Sequence, residues 1–342
     1  MSRINIVSYN CRSIKSTAPN VNKLCDSHDI CLLQEHWLLN EDLDYLSSIH
    51  KDFHAYGVSA VDTGSGLLSG RPYGGTAILW RKSFGDSIRV KSFNDARLLG
   101  AELILGGNKL FILCVYLPTN CSDNFDEFSD YLGKINAIVQ EQKSSNIFIL
   151  GDWNADMKSR FGKELKELCD TTELVLADIE YIGQSDNNFT YISDAHHTTS
   201  WLDHCVSTVN AHHSIVDINI LYDHMASDHL PLSVTCQIDK LINMEDSTPN
   251  QDSTTHTSVN WSEVGTVKLA KYSELTERYL KTIDILVDAI NCGLHNCTCD
   301  DHNNNMISCY YDDIVDALKK LPMSHSELNS VTNTIRFQDG MT

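Results

Sequence analysis

Apolar residues come in short runs through the first two thirds of the chain and thin out beyond Ile238. The β-rich runs predict strands at Ile4–Ser8, Ile30–Leu33, Thr76–Trp80, Leu98–Leu105, Leu110–Tyr116, Ile147–Leu150, Phe189–Ile192, Cys205–Ser207, Ile215–Leu221 and Leu230–Gln237. Some, such as Phe111-Ile-Leu-Cys-Val115, are apolar throughout, as strands buried on both faces are. Helices are predicted at Val21–Ser27, Glu41–Ile49, Asp123–Gln142 and Lys163–Cys169. In the third, Phe125, Phe128, Leu132, Ile135 and Val139 recur at helical spacing. Many strands with helices interspersed predict an α/β fold, two packed β-sheets flanked by helices in a four-layer α/β sandwich.

The pattern changes after Ile238. Residues 1–238 read as one domain. Residues 239–260, with Met244–Val259 almost devoid of apolar side chains, read as a flexible linker. Residues 261–342 read as a small helical segment and tail: Leu269, Tyr272, Leu275, Tyr279, Leu280, Ile283 and Leu286 keep helical spacing, and a second helix is expected over Tyr310–Leu321. No internal repeat is visible.

The chain has 342 residues and a formal net charge of −20, which argues against holding nucleic acid through overall basicity. A local basic rim from Arg81, Lys82, Arg89 and Lys91 is compatible with brief contact to DNA; the alternative is solvated strand ends. Of 12 cysteines, Cys31, Cys114 and Cys205 lie in or beside apolar runs and read as small buried hydrophobes in a reducing compartment. The N-terminus has no signal-peptide core, and no apolar run approaches the roughly 18 residues that span a bilayer. The expectation is an intracellular protein, cytoplasmic or nuclear, not secreted and without a membrane partner; the sequence does not indicate its oligomeric state.

Candidate chemistry collects where apolar runs end. Ile147-Phe-Ile-Leu-Gly-Asp-Trp-Asn154 delivers Asp152 and Asn154 onto a tight exit turn. Asn10, Glu35, Asp203 and Ser227-Asp228-His229 follow other runs. Metal-assisted phosphodiester hydrolysis needs a hard cation on oxygen ligands, an oriented water and stabilised leaving-group charge. Glu35 and Asp228 supply carboxylates; Asn10 offers a carbonyl ligand or a donor to phosphate. Standing alone, Glu35 would read as a surface acid. His229 could meet charge on a scissile phosphate if Asp203 fixes its tautomer. His204 should point to the opposite face from Asp203 on a strand. Pairs His196-His197 and His212-His213 read as loop residues, with zinc the minor alternative. Cys292, Cys297, Cys299 and His302 have ligand types for zinc but irregular spacing.

Taken in order, Ser8-Tyr-Asn10, Gln34-Glu35, Val115-Tyr-Leu-Pro118, Gly151-Asp-Trp-Asn154, Leu202-Asp203 and Ser227-Asp-His229 resemble the successive motifs of the endonuclease/exonuclease/phosphatase superfamily, over roughly residues 3–238. Within it the chain is most similar to the apurinic-type endonuclease domain of LINE-type non-LTR retrotransposons. Leu33-Gln-Glu-His-Trp-Leu38, Gly70-Arg-Pro-Tyr-Gly-Gly75, and Phe189-Thr190-Tyr191 followed by Ser200-Trp-Leu-Asp203 carry that likeness, and the segment from Trp261 to Ile314 resembles the connector to a reverse transcriptase. The resemblance implies a Mg²⁺-dependent endonuclease (Mn²⁺ may substitute) that nicks one DNA strand and leaves a 3′-hydroxyl for target-primed retrotransposition. It implies Glu35 as main metal ligand with Asn10 and Asp228. Asp152 would orient or deprotonate the water, or bind a second metal. Asn154 and Tyr116 would hold the phosphate, His229 oriented by Asp203 would stabilise the transition state, and Thr190 and Ser227 would support substrate contacts. Tyr116 could equally be a core aromatic. Tyr311-Asp-Asp313 lacks flanking apolar strands, so a reverse transcriptase would be a partner supplied elsewhere. Alternatives are an abasic-site nuclease, a phosphoester phosphatase, or an inactive interaction module.

Overall fold

The computed structural model describes residues 3–61, 70–142, 144–185, 187–193 and 195–241, together with 277, 278 and 281. The chain divides into units Met1–Thr248 and Pro249–Thr342. The fold described is that of the first. The linker from residue 242 on, the connector helices and the Cys292/Cys297/Cys299/His302 cluster lie outside the described residues.

In chain order come β1 (Arg3–Asn10), α1 (Ile14–Ser27), β2 (Ile30–Gln34), β3 (Phe53–Val58), β4 (Thr76–Arg81), β5 (Ile88–Ser92), β6 (Leu98–Leu105) and β7 (Asn108–Tyr116). There follow α2 (Phe125–Glu141), β8 (Ile147–Asp152), α3 (Arg160–Thr172), β9 (Leu174–Leu176), α4 (Ala177–Ile182), β10 (Tyr191–Ser193), β11 (Thr198–Ser200), β12 (Asp203–Thr208), α5 (Val209–Ser214), β13 (Ile215–Ile220) and β14 (Leu232–Gln237). They build two six-stranded mixed sheets, ordered β13-β14-β1-β2-β4-β3 and β5-β6-β7-β8-β12-β9, with β10-β11 as a separate hairpin.

Alternation along the strands makes the layers. In β1, Ile4 and Ile6 face the second sheet while Val7 and Tyr9 face the helical side. The first set packs with Ile112, Cys114, Phe148 and Leu150 between the sheets. The second packs against Ile14, Val21 and Leu24 of α1. On the far side, Leu113, Ile147 and Ile149 pack with Phe128, Leu132 and Ile135 of α2 and Phe161 and Leu165 of α3. Three apolar interlayers therefore separate four layers, the sandwich the sequence pattern predicts.

The differences have physical reasons. β3 and β5 are edge strands whose polar residues, such as His54, Arg89 and Lys91, break the apolar signal. Helix α1 starts seven residues before its expected beginning. Pro19 reads as a breaker, yet burial of Ile14 and Thr17 below the sheet carries the helix through it. The segment Asn40–Ser48 forms 3₁₀ turns rather than the α-helix expected there. His212 and His213 sit at the end of α5, not in a loop.

Candidate active site

Parallel pairing decides where the polar ends meet. β1 and β2 run parallel with Asn10 opposite Gln34, and β7 and β8 run parallel with Tyr116 opposite Asp152. Four C-terminal strand ends thus share one rim. β12 runs antiparallel to β8 and begins there, with Asp203 opposite Asp152. The rim opens as a cleft of about 840 Å³, lined among others by Glu35, Tyr116, Asp152, Asn154, Asp228 and His229.

Two strand exits use left-handed backbone. Glu35 has φ 53° and Asn154 φ 51°, a region uncommon for residues other than glycine. Cross-strand bonds hold the first: Cys11 N–H donates to Gln34 O at 2.9 Å and Ser13 N–H to Glu35 O at 3.0 Å. The second is held by its own turn, with Asn154 N–H donating to Asp152 Oδ1 at 2.9 Å and Asn154 Nδ2 to Leu117 O at 3.0 Å. Before this turn Gly151 admits no side chain, because a Cβ there would lie 1.8 Å from Val115 O.

Asn10 is buried between two acids. Its Nδ2 donates to Glu35 Oε1 at 3.0 Å and to Asp152 Oδ2 at 2.9 Å. The other Glu35 oxygen accepts from Trp37 Nε1 at 2.9 Å. His229 Nδ1 lies 2.8 Å from Asp203 Oδ2, and His229 Nε2 lies 3.8 Å from Asp152 Oδ2. Burial disfavours a charged ring, but Asp203 and Asp152 outweigh it and raise the His229 pKa. With Nδ1 facing one carboxylate and Nε2 turned toward another, the surroundings favour the protonated ring. Burial pushes the Asp152 carboxyl up, His229 opposes this, and Asp203 adds to it. Burial, with Glu35 and Asp152 nearby, pushes the Tyr116 phenol far above its usual range and keeps it a neutral hydroxyl.

Donor atoms of Asp152, Asp203 and His229 lie within 4.8 Å of one another, a grouping that could hold a metal ion. Asp203 Oδ1 is buried without a hydrogen-bond partner. With Glu35, three carboxyl groups surround one histidine, an oxygen-rich set that suits a hard divalent cation.

Other expected residues are placed differently. Asn10 turns its amide nitrogen, not its carbonyl, to the acids; its Oδ1 accepts from Arg12 N–H at 3.3 Å. Asp228 is ion-paired with Arg12 and accepts from Ser227 Oγ at 3.1 Å. Thr190 is fully buried and faces no cleft: its Oγ1 accepts from the backbone N–H groups of Leu202 and Asp203, both at 3.0 Å. Ser227 accepts from His229 N–H at 3.3 Å and so braces the turn. His204 points away from the cleft, as alternation requires, and its Nδ1 lies 2.8 Å from Asp178 Oδ2.

Arg81 of the expected basic rim lies away from the cleft. β4 is antiparallel to β2, so Arg81 lies at the strand end opposite the cleft, bound to Asp29 at 2.9 Å. The cations lining the cleft are Arg12 and Lys158, neither of them marked by a sequence motif. Arg12 stands two residues past Asn10, on a segment with no apolar pattern to mark it. Among the described residues no helix is long and apolar enough to cross a membrane.

Comparison with known proteins agrees with this architecture. The model of the Endonuclease/Exonuclease/phosphatase family matches residues 7–229. No curated protein matches the chain in sequence. Among solved structures, the AP endonuclease LMAP from Leishmania major superposes with TM-score 0.56 at 14% identity, covering 69% of this chain and 88% of that one. The APE2 catalytic domain from Xenopus laevis gives 0.55 at 17%, covering 68% and 91%. The 3′ phosphatase NExo from Neisseria, bound to product DNA hairpin, gives 0.53 at 15%, covering 68% and 99%. At these identities the likeness is one of fold.

Proposed function

The chain belongs to the endonuclease/exonuclease/phosphatase family, and from that premise we propose that it is a Mg²⁺-dependent endonuclease hydrolysing a DNA phosphodiester, nicking one strand and leaving a 3′-hydroxyl. The observation that carries this is the buried Asp203–His229–Asp152 line facing Glu35 across one open cleft. The end so made would prime a reverse transcriptase supplied elsewhere, the role that the LINE-like motifs support.

Glu35 is placed to hold the cation. Its two oxygens accept from Asn10 Nδ2 and Trp37 Nε1, and the Tyr116 hydroxyl also bonds the carboxylate, which fixes its orientation in the cleft. Asp152 is the second carboxylate toward it. Asp228, taken by Arg12, and Asn10, whose amide nitrogen faces the acids, fit this role less well than the motifs imply. When bound, Mg²⁺ or Mn²⁺ supplies positive charge to the phosphate oxygens and makes a bound water more acidic.

The protein's own groups do the rest. Asp152 takes the proton of the attacking water as that oxygen bonds to phosphorus; the P–O3′ bond breaks and O3′ leaves as a hydroxyl with a proton from solvent. A carboxyl raised above its usual range is the better proton acceptor near neutrality. Asp203 holds the His229 ring so that Nε2–H faces the phosphate and stabilises the charge that builds there. Tyr116 supplies a neutral hydroxyl at the cleft wall. Asn154 spends its amide hydrogens on Leu117 O and Asp152 Oδ2, so it sets the Asp152 carboxylate rather than gripping phosphate.

The test is a supercoiled plasmid with Mg²⁺. Glu35→Ala and His229→Ala should each slow nicking on the order of 10²-fold or more. Nicking that survives both would overturn the assignment, and product ends that a polymerase cannot extend would overturn the 3′-hydroxyl. The solved structures similar in fold favour a second reading, cleavage at abasic sites or removal of 3′-phosphate. Rates on intact duplex, abasic duplex and a 3′-phosphorylated hairpin separate the two; an enzyme inert on intact duplex supports the second.

A further inference from the structure

Beside the active-site cleft lies a second cavity of about 620 Å³, and the two share Arg12 and Trp37. The chain carries a net charge of −20, yet this cavity gathers Arg12, Lys15 and Arg71; Lys15 pairs Asp42 at 2.8 Å and Arg12 pairs Asp228. Its position is built by the run Gly70–Gly75, which the mechanism above does not use.

Gly75 has φ 86°, and a Cβ there would lie 2.5 Å from His36 Nε2. Gly74 has φ 60°, and its carbonyl accepts the Trp37 N–H at 3.1 Å. Two glycines therefore let the loop lie flat along residues 36 and 37. Pressed there, the loop sets the Arg71 guanidinium over the Trp37 indole, 5.7 Å from the ring centroid. The edge of the same indole holds Glu35 through Nε1. Arg71 and Tyr73 are themselves exposed, Tyr73 at 58%. A loop whose task is packing has no need to present an arginine and a tyrosine to solvent over a half-buried tryptophan.

An aromatic face ringed by cations matches a nucleotide: the base stacks and the phosphate is paired. We propose that this cavity is a subsite for the nucleotide adjoining the scissile phosphate, with Arg71 moving off the indole to join Lys15 at its backbone phosphate while its base takes the Trp37 face. The proposal rests on the reading of the protein as a DNA endonuclease. It adds a route from recognition to chemistry, because the indole under the base is the one that holds Glu35.

The experiment compares the full chain with Arg71→Ala, Arg71→Lys and Lys15→Ala, in Mg²⁺, on a duplex oligonucleotide and on bis(p-nitrophenyl) phosphate, a diester with no adjoining nucleotide. Arg71→Ala should lower kcat/KM on duplex about tenfold, the worth of a charged hydrogen bond, chiefly through KM. It should also reduce the slope of log(kcat/KM) against log salt by about one. Arg71→Lys should restore the salt slope, and Lys15→Ala should show a smaller loss. Hydrolysis of the small diester should not change. Equal losses on both substrates would make Arg71 a support for Glu35 and overturn the subsite; so would an unchanged rate on duplex. A wild-type protein that cleaves the small diester but not duplex would overturn the endonuclease reading instead.

Discussion

Asp203 and Thr190 show how much of this site is bracing. Asp203 receives His229 Nδ1 on one oxygen and is itself set by Thr190, whose hydroxyl takes the two backbone N–H groups entering β12. Asp203→Asn keeps the volume but offers His229 a neutral partner, and should slow plasmid nicking by about 10²-fold, since a poorly oriented acid–base group forfeits that much. Thr190→Val keeps the shape and strands one buried and one part-buried N–H group. It should cost about 1–3 kcal/mol per unsatisfied group in urea unfolding, while Thr190→Ser should restore most of it. If Thr190→Val were as stable as wild type and impaired only in DNA binding, the result would support the substrate contact implied by the sequence resemblance. At this scale the sequence shows residue types at strand ends: Glu35, Asp152, Asp203 and His229 can all be named from it. It does not show which hydrogen bond each residue spends where, because that depends on distant partners, 142 residues away for Asn10 and Asp152 and 216 for Arg12 and Asp228.

At the scale of elements, β8 carries the site because its last turn has no freedom. Gly151 packs its backbone against Val115 O of the parallel neighbour, and Gly162 at the start of α3 is similarly tight, since a Cβ there would lie 2.1 Å from Asp156 O. Gly151→Ala should force β7 and β8 apart. The expected destabilisation is about 1–3 kcal/mol or more by urea unfolding, accompanied by lost activity as Asp152 shifts. An Ala variant with wild-type stability and nicking would show that the strands yield there. Long apolar strands and the amphipathic α2 are legible in sequence because burial on both faces or one stripe writes a period. β3, β5, β9 and β11 are not, being short or at a sheet edge, and α1 is half-hidden by Pro19, which packing overrides.

For the whole molecule, stability reflects what the layers bury. His28 ends α1 and joins it to β14: Nδ1 lies 2.9 Å from Leu24 O and Nε2 2.9 Å from Ser233 Oγ. Burial lowers its pKa, with Asp29 opposing and His224 and Arg81 adding. A group depressed in the folded state contributes stability that is whole above its unfolded pKa of about 6.5 and is lost as pH falls through the lower folded value. Urea midpoints should therefore decline below about pH 6.5, and less steeply in His28→Gln. Parallel acid limbs in the two proteins would assign the decline to other groups.

The sequence by itself determined the layers and the chemical inventory. Hydrophobic period decides which face of each strand is buried, and carboxylates, amides and a histidine at run ends are visible one by one. The tertiary structure alone decided their arrangement. Strand order and parallel pairing put four strand ends on one rim, moved Arg81 to the opposite end and brought Arg12, Trp37 and Arg71 beside the cleft. Periodicity is a local property that each run carries in itself, whereas register and sheet order are set by contacts between distant runs and leave no period to read.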